Sequence, residues 1–224
     1  LAYTGSGFDG FIQTIDLLEN GSFSNNNFEH DEVFAKYNSL IKISDTRVAL
    51  AYTGGSLSYG FIKTFDIAAN GNISEIDSEE HDSVHARHNS LIKLKDNDDG
   101  SVRVVLAYAG AGNDGYIKTL DIAANGSISS ALDTEEHDKN KGTYNSLIKL
   151  SDTRVVLAYT GTSNGIIKSF TIDSNGQITQ ETALTHESGQ LIEFNSLIKI
   201  SSTKLLLAYN TNETKGYIQT FSIP

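Results

Sequence analysis

The sequence contains no cysteine and no tryptophan, and it has only one proline among 224 residues. Without cysteine the fold can use neither disulfide bonds nor thiolate-bound zinc, and the redox state of its compartment stays open. No apolar run approaches the roughly 20 residues that a membrane-spanning helix requires. No signal peptide is present and the sequence begins at Leu1 rather than Met, so a targeting segment is not part of it. We therefore expect no membrane insertion.

Basic side chains are also scarce. Only 17 Lys and Arg residues stand against 28 Asp and Glu residues, which leaves a net charge of −11. This balance repels nucleic-acid phosphates and anionic lipids, and it argues against both as partners. The length is enough for a sizeable core, and an all-β chain of this size can form one domain.

An internal repeat covers the whole chain. The strings LAY and NSLIK recur about 50 residues apart, each accompanied by a motif such as GFIKT and by an Asn-Gly pair. We therefore expect a single domain over residues 1–224 that is built from tandem repeats. The repeats start near Leu1, Asn38, Asn89, Asn145 and Asn195.

Each repeat contains four short segments rich in β-branched and aromatic residues, which we call strands a to d. The Asn-Gly pair between strands c and d favours a tight hairpin. Four strands in about 50 residues are typical of a β-propeller blade. The pattern predicts 18 strands, namely four a, five b, five c and four d. This number favours five blades, and the alternatives are a segment of a longer repeat protein or four blades.

The order of motifs resembles a divergent WD-repeat blade. His137 is followed by NSLIKL, RVVLAYTG and NGIIKSF, and in that family a histidine precedes strand a while Trp-Asp ends strand c. The Trp position is filled here by Ile15, Phe65, Leu120, Phe170 and Phe221. The following Asp is kept at Asp16, Asp66 and Asp121 and replaced by Thr171 and Ser222. The family's Trp-containing hydrogen-bond network therefore cannot be complete. Five-bladed lectins of the tachylectin type have a similar repeat length, which is a similarity of architecture.

One histidine recurs in each repeat and is followed by an acid. These histidines are His30, His81, His137 and His186. A residue needed once per blade is most simply explained as scaffold, with a hydrogen bond that fixes the connection between strands d and a. A ligand-binding role is the alternative. We expect His88 to fill an aromatic packing position, because other repeats carry Tyr37, Tyr144 or Phe194 there.

The remaining candidates for metal sites are weak. His81 and His85 have a spacing that suits zinc on a helix, but they fall in a loop. Residues 96–100 resemble the start of a calcium loop that lacks its final glutamate. The lysines of strand a are expected to pair with an acid on a strand or to face the central channel; they are Lys42, Lys93, Lys149 and Lys199. We expect no metal and no cofactor.

The near-equivalence of the repeats argues against an enzyme, because one reaction needs one set of groups. We expect no catalytic residues and a non-enzymatic, multivalent binding module, displayed outside the cell, that recognises a glycan or a protein. An intracellular protein–protein scaffold of the WD-repeat type is the alternative, and a hydrolase or lyase comes third. The oligomeric state is left open.

The binding sites are expected between blades, where tyrosine and amide side chains suit sugars. The candidates are His30, His81, His137, His186, Tyr52, Tyr108, Tyr159, Asn38, Asn89, Asn145 and Asn195. Binding is expected on the face that carries the d–a and b–c connections, because its loops vary between repeats. Examples of these loops are residues 54–60, 110–115 and 210–216.

Overall fold

The structure is a computed structural model that describes residues 1–211 and 215–223. Within these residues, 18 strands form five antiparallel sheets, and each strand pairs with its neighbours in sequence. We number the sheets as blades 1 to 5 in chain order. The structure confirms the prediction of an all-β propeller, and its five sheets fit a five-bladed propeller.

The strands lie close to the segments expected from the repeats. Blade 1 has strands b, c and d, which are β1 (Ala2–Thr4), β2 (Gly10–Leu17) and β3 (Phe23–Asp31). Blade 2 has β4 (Ala35–Lys42), β5 (Arg47–Gly54), β6 (Tyr59–Ile67) and β7 (Ile73–Asp82). Blade 3 has β8 (Arg87–Asp96), β9 (Val102–Ala109), β10 (Gly115–Ile122) and β11 (Asp133–Asp138). Blade 4 has β12 (Thr143–Ser151), β13 (Arg154–Thr160), β14 (Asn164–Ile172) and β15 (Ile178–Ser188). Blade 5 has strands a, b and c, which are β16 (Ile192–Ser201), β17 (Lys204–Thr211) and β18 (Gly216–Ser222).

The first strands of the blades form the inner edge of the propeller. Strand β4 contacts β8, β8 contacts β12, and β12 contacts β16. Because strands alternate in direction, the d–a and b–c connections share one face, which we call the upper face. The Asn-Gly hairpins lie on the opposite, lower face, where Gly71 has the positive φ of 81° that this turn requires. In the described residues, no helix is long and apolar enough to cross a membrane.

The core lies between neighbouring blades, because each blade is apolar on both of its faces. One face carries the leucine and tyrosine of the LAY string, for example Leu106 and Tyr108, and we call it the tyrosine face. The other carries isoleucine and alanine, for example Ile62 and Ala51, and we call it the isoleucine face. The isoleucine face of blade 2 packs on the tyrosine face of blade 3. The same order of faces holds from blade 1 to 2, from 3 to 4 and from 4 to 5.

Polar residues of the NSLIK string also join one blade to the next. The Ser39 hydroxyl oxygen accepts a hydrogen bond from the Leu91 amide at 2.9 Å, and equivalent bonds link blades 3 to 4 and 4 to 5. The Lys93 ammonium group donates to the carbonyl of Ile43 in the preceding blade at 2.9 Å. It also pairs with Asp96 at 2.7 Å. The prediction that strand-a lysines pair with a strand acid is therefore confirmed for Lys93, whereas Lys42 and Lys149 pair with Asp45 and Asp152 of the a–b turns.

The aspartate that resembles the WD-repeat position has a clear partner in the interior. Arg103 on strand b contacts Asp121 with two nitrogens, both at 2.9 Å, and also donates to the carbonyl of Ser174 in the next blade at 2.8 Å. Arg47 binds Asp66 in the same two-nitrogen arrangement. An arginine–carboxylate pair thus joins strands b and c within blades 2 and 3.

Candidate ligand-binding site

The repeated histidines lie at the ends of the outer strands and pack between blades. His30, His81 and His137 are 3%, 7% and 2% exposed, and His186 is half-buried. Each ring meets the tyrosine of the following blade edge-on, with centroids 4.8 Å apart for His81 and Tyr108. The opposite side of the His81 ring lies so close to Gly60 that a Cβ there would overlap it. These contacts are those expected of scaffold.

The hydrogen bond expected for these histidines is not seen on their rings. Among the described residues, neither ring nitrogen of the four has a hydrogen-bond partner. Burial, followed by the charge of Lys118, lowers the pKa of His81 to about 3. Burial likewise lowers the pKa of His137 to about 3 and those of His30 and His186 to about 4. The rings are therefore neutral near pH 7 and contribute through packing.

The connection between strands d and a is instead held by neighbouring groups. Lys63 donates to the backbone carbonyl of His30 at 2.8 Å, across the boundary between blades 1 and 2. The Asp82 carboxylate, one residue after His81, accepts hydrogen bonds from the amides of Val84 and His85. Hydrogen bonds therefore hold the connection between strands d and a, as predicted. Their donors and acceptors are a lysine, a carboxylate and the backbone, and not the histidine ring.

The tyrosines predicted as ligand contacts are core residues. Tyr52, Tyr108 and Tyr159 are 1%, 1% and 0% exposed, so their rings present no surface to a ligand. The hydroxyl of Tyr159 donates to Asp138 at 3.0 Å. Burial, reinforced by the nearby aspartate, raises the pKa of each of the three. They pack against the histidine of the preceding blade because LAY lies in the middle of a buried strand.

The asparagines of NSLIK bind backbone across the blade boundary. The Asn89 side-chain amide donates to the carbonyl of Tyr37 at 3.3 Å. Asn145 and Asn195 make the same bond to His88 and Tyr144, at 3.3 and 3.1 Å. Asn38 lies at the boundary with blade 1 and reaches only the Thr4 hydroxyl, at 3.5 Å. Within the described part of the chain, the side-chain oxygens of all four lack a hydrogen-bond partner.

A continuous band of aromatic rings runs across the upper ends of the inner strands. It consists of the residues that directly precede NSLIK, namely Tyr37, His88, Tyr144 and Phe194. Successive ring centroids are 4.5, 4.3 and 5.2 Å apart. We call these four residues the aromatic band. The prediction that His88 fills an aromatic packing position is confirmed, because its ring lies between Tyr37 and Tyr144.

All four residues of the band have a left-handed backbone conformation. Their φ values are 53°, 54°, 52° and 52°. Each lies in a bulge where the register of strand a shifts against strand b, for example between Lys36 and Ser39. Such a conformation is strained for a bulky residue, and strained residues concentrate at functional sites. The side-chain amides of Asn89, Asn145 and Asn195 donate hydrogen bonds to the backbone carbonyls of Tyr37, His88 and Tyr144. The strained conformation is therefore a regular feature of the repeat.

The band is partly open to solvent and has a charged rim. Tyr37 is 40% exposed and Phe194 is 69% exposed, while His88 and Tyr144 are half-buried between them. Burial, followed by Arg87 and Lys141, lowers the pKa of His88 to about 4, so its ring is a neutral aromatic surface near pH 7.

The rim residues differ from blade to blade. The Lys36 ammonium lies 4.6 Å from the ring centroid of Phe8, and the Glu193 carboxylate accepts a hydrogen bond from the Tyr144 hydroxyl at 3.3 Å. Arg87 fills the same place in blade 3, and Thr143, the equivalent residue of blade 4, is buried. In the sequence, the band is indicated only by an aromatic residue before each NSLIK. The repeated motifs do not show that these aromatic rings contact one another.

Hydrogen bonds within the loop and to strand c hold residues 96–100. Asp99 accepts hydrogen bonds from the amide and hydroxyl of Ser101, and Asn97 donates to Asp121 at 3.2 Å. In residues 1–211 and 215–223, no group of three or more His, Asp or Glu side chains could hold a metal ion. The variable loop 210–216 was predicted to lie on the upper face; its residues 212–214 are outside the described part.

Comparison with known proteins shows the fold and not the family. No protein-family model matches the sequence, and no curated protein matches it. A protein of unknown function from Dyadobacter fermentans DSM 18053 is 13% identical, with a TM-score of 0.60, over 99% of this chain and 66% of its own. The chain thus spans just under two thirds of that protein. An α-L-arabinofuranosidase from Lactobacillus brevis is 9% identical, with a TM-score of 0.54, over 100% of this chain and 90% of its own.

The arabinofuranosidase overturns the prediction that this protein is not an enzyme. A similar arrangement of sheets is found in a glycosidase, so a propeller of similar blades does not exclude catalysis. The physical reason lies at the upper face. The cores of the blades are nearly equivalent, but Lys36, Arg87 and Glu193 occupy the same position of the repeat with different chemistry. Symmetry of the core therefore says little about symmetry of a site.

Proposed function

We propose that the protein binds a neutral oligosaccharide across the aromatic band. The observation that carries this proposal is the continuous surface formed by Tyr37, His88, Tyr144 and Phe194 at the inner edge of the upper face. Sugar rings have an apolar C–H face that packs on aromatic rings and a rim of hydroxyls that seeks hydrogen bonds. A row of aromatic rings therefore fits several consecutive sugar units.

The net charge of the chain supports a neutral ligand. The chain has a net charge of −11, which disfavours sulfated, phosphorylated or sialylated sugars. Lys36, Arg87 and Glu193 supply both donors and an acceptor at the rim, as hydroxyl recognition requires. The band has one residue in each of four blades. On this proposal, the separate weak binding sites expected from the sequence are replaced by one extended site. The glycosidase with a similar fold acts on arabinofuranosides by its name, and a sugar ligand agrees with that.

Calorimetric titration with neutral hexasaccharides of glucose, xylose and arabinose tests the proposal. We expect Tyr144→Ala to weaken binding about 3- to 10-fold, because one aromatic contact contributes about 0.5–1.5 kcal/mol. His88→Tyr should bind close to the wild type, because it keeps an aromatic ring at that place. Chromatography of the same mixtures shows whether the bound sugar is also cleaved.

The matched control is Phe23→Ala. Phe23 is 69% exposed and begins an outer strand next to the lower-face hairpin, far from the band in the repeat. This variant should bind as tightly as the wild type. Failure of every neutral hexasaccharide to bind, or equal losses in Tyr144→Ala and Phe23→Ala, would refute the proposal. A protein–protein scaffold of the WD-repeat type would then be the better hypothesis.

A further inference from the structure

An apolar surface covers the upper face above blades 1 and 2. Phe8, Val33, Leu57 and Val84 are 54%, 57%, 59% and 53% exposed, and each lies in a b–c loop or a d–a connection. We call these four residues the apolar patch. Their loops lie above the boundaries from blade 1 to blade 3, where both neighbouring blades are present, so a missing blade does not explain the exposure. Exposed apolar patches with a polar rim commonly mark interaction sites.

The b–c loop that carries Leu57 makes the patch continuous. On one side of this loop, the Gly55 amide donates to the Asp31 carboxylate at 3.2 Å. On the other side, the Ala86 amide donates to the carbonyl of Ser58 at 3.3 Å. Leu57 therefore lies between the two d–a connections, each of which carries an exposed valine.

The fold does not require a phenylalanine at position 8. Phe8 lies at the end of a short 3₁₀ turn, Ser6–Phe8, whose counterpart in blade 3 is Ala111–Asn113. The two backbones match, because φ is 77° at Phe8 and 74° at Asn113. This left-handed conformation is strained for a bulky residue and is better tolerated by asparagine. The exposed ring of Phe8 is thus held in a strained conformation, and strained residues concentrate at functional sites.

The fold does not require the exposed valines either. The Asp31 carboxylate accepts a hydrogen bond from the Val33 amide at 2.9 Å, and Asp138 accepts the same bond from Asn140 at 3.0 Å. Asparagine therefore occupies in the connection after blade 3 the place that valine occupies after blades 1 and 2. One backbone carries apolar side chains above one part of the propeller and polar ones above another. The apolar side chains are consequently available for contact with a partner.

The aromatic part of the patch already holds a cation. The rings of Phe8 and Phe34 are 6.0 Å apart, and Phe34 directly follows Val33. The Lys36 ammonium lies 4.6 Å from the first ring centroid and 5.0 Å from the second. Aromatic rings attract ammonium and guanidinium groups in this arrangement. The patch therefore suits basic side chains as well as apolar ones.

Carboxylates flank the patch. One directly follows Phe8, one directly precedes Val33 and one lines the same cleft as Val84; they are Asp9, Glu32 and Glu80. In the described part of the chain, none of these three acids forms an ion pair. Lys118, also in that cleft, is bound to the carbonyl of His81. Together with the net charge of −11, these free acids favour the approach of a basic partner.

We propose that the apolar patch is a docking site for a segment of another protein in which apolar side chains alternate with lysine or arginine. The apolar side chains of the segment pack on the four patch residues, and its basic groups lie near Asp9, Glu32 and Glu80. Charge complementarity selects this partner over an acidic peptide or an anionic lipid surface. The patch contains no residue of the aromatic band, so docking does not depend on sugar binding there.

Selection from a phage library of short random peptides tests this docking site. The enriched peptides should contain both apolar residues and Lys or Arg, and synthetic copies should bind the wild type in fluorescence anisotropy. Phe8→Asn and Val33→Asn should each weaken binding about 10- to 30-fold, as is typical for the anchor residues of an interface. Glu32→Gln should weaken it about 1.5- to 5-fold, because it removes one exposed charge.

The repeat itself supplies the folding control. Phe8→Asn and Val33→Asn copy Asn113 and Asn140, so both variants should melt at or above the wild-type temperature. If either melts lower, Val84→Asn replaces it. Phe23→Asn removes an exposed phenylalanine next to the lower-face hairpin and should bind the peptides like the wild type.

Three results of the peptide experiment would show that the proposal is wrong. They are that no peptide is enriched, that the enriched peptides lack basic residues, or that Phe8→Asn and Phe23→Asn weaken binding equally. Sedimentation with phosphatidylcholine vesicles adds a further test. If the wild type sediments with the vesicles and Phe8→Asn does not, the patch binds lipid, and docking of a protein segment is wrong.

Discussion

Ile117 in blade 3 and Ile218 in blade 5 occupy the same place in the repeat, yet the first is 0% exposed and the second is 74% exposed. Their local sequences are almost the same, GYIKT and GYIQT. The difference is the neighbour: blade 4 covers Ile117, and nothing in the described chain covers Ile218. In a stacked repeat, each unit contacts only its neighbours. A repeat therefore specifies a sheet with two apolar faces. Each face becomes part of the core only where an adjacent blade covers it.

The largest expected effect contrasts Ile117→Ala with Ile218→Ala. Truncating Ile117 removes buried contacts and leaves a cavity between blades 3 and 4, so we expect the free energy of unfolding to fall by about 2–5 kcal/mol. Ile218→Ala should change it by less than about 0.5 kcal/mol, as is usual for exposed positions. Urea unfolding followed by circular dichroism measures both.

The protein concentration in this experiment must be low enough to keep the chain monomeric. At a high concentration, any contact between molecules that buries Ile218 would raise the cost of its truncation. Equal losses in the two variants at low concentration would show that blade 5 is covered within a single molecule, and would remove the contrast between interior and end blades.

A second contrast uses the glycine that begins strand c. In Gly60→Ala the added methyl group would overlap the His81 ring and the Cβ of Ala86. We expect a loss of about 1–3 kcal/mol, as is typical of overpacking. At Gly216 of blade 5, nothing in the described chain lies within 4 Å of such a methyl group. Gly216→Ala should therefore be neutral or slightly stabilising.

The control for this pair is Gly60→Ala combined with His81→Ala, which removes the overlapping ring. If the overlap explains the loss, the two substitutions should be less than additive, because they share a contact. Strict additivity in urea unfolding would mean that Gly60 is required for another reason. Neither glycine has a positive φ, so backbone strain does not confuse the comparison.

Much of this architecture could be predicted from the sequence, because each sequence motif recurs four or five times along the chain. The number and order of strands and the Asn-Gly hairpins follow from strings that recur in register. Exposure could not be predicted in the same way. The strings around Ile117 and Ile218 match, and burial depends on a contact between blades about which a single repeat contains no information.

The candidate site could be predicted only in part. The sequence predicts binding at the upper face, because the d–a and b–c loops vary there, and this stays a prediction. Tyr52, Tyr108 and Tyr159 are predicted as ligand contacts between blades but lie in the core, because their strand is apolar on both faces. The aromatic band was interpreted as packing. Its ring contacts depend on a bulge with positive φ at Tyr37 and its equivalents, and sequence patterns do not indicate bulky residues in that conformation.

The smallest expected contrast concerns the pH dependence of stability. The folded-state pKa of His81 is about 3, below the value of 6.5 expected in the unfolded chain. Between these values the unfolded state binds a proton that the folded state does not, so stability falls as the pH is lowered below about 6.5. The loss is up to about 1.4 kcal/mol per pH unit for a fully buried histidine such as His81. His186, next to end blade 5, is only half-buried, and we expect a smaller contribution because solvent screens it.

Urea unfolding of the wild type, His81→Phe and His186→Phe between pH 7 and pH 5 measures these contributions. We expect His81→Phe to reduce the slope of stability against pH by about one bound proton, and His186→Phe to reduce it by less. Ile117→Ala is the control, because it lowers stability at every pH without removing a titrating group and should keep the wild-type slope. An unchanged slope in His81→Phe would show that this ring is already protonated, or hydrogen-bonded, in the folded protein. The neutral packing role of the histidine between Gly60 and Tyr108 would then be wrong.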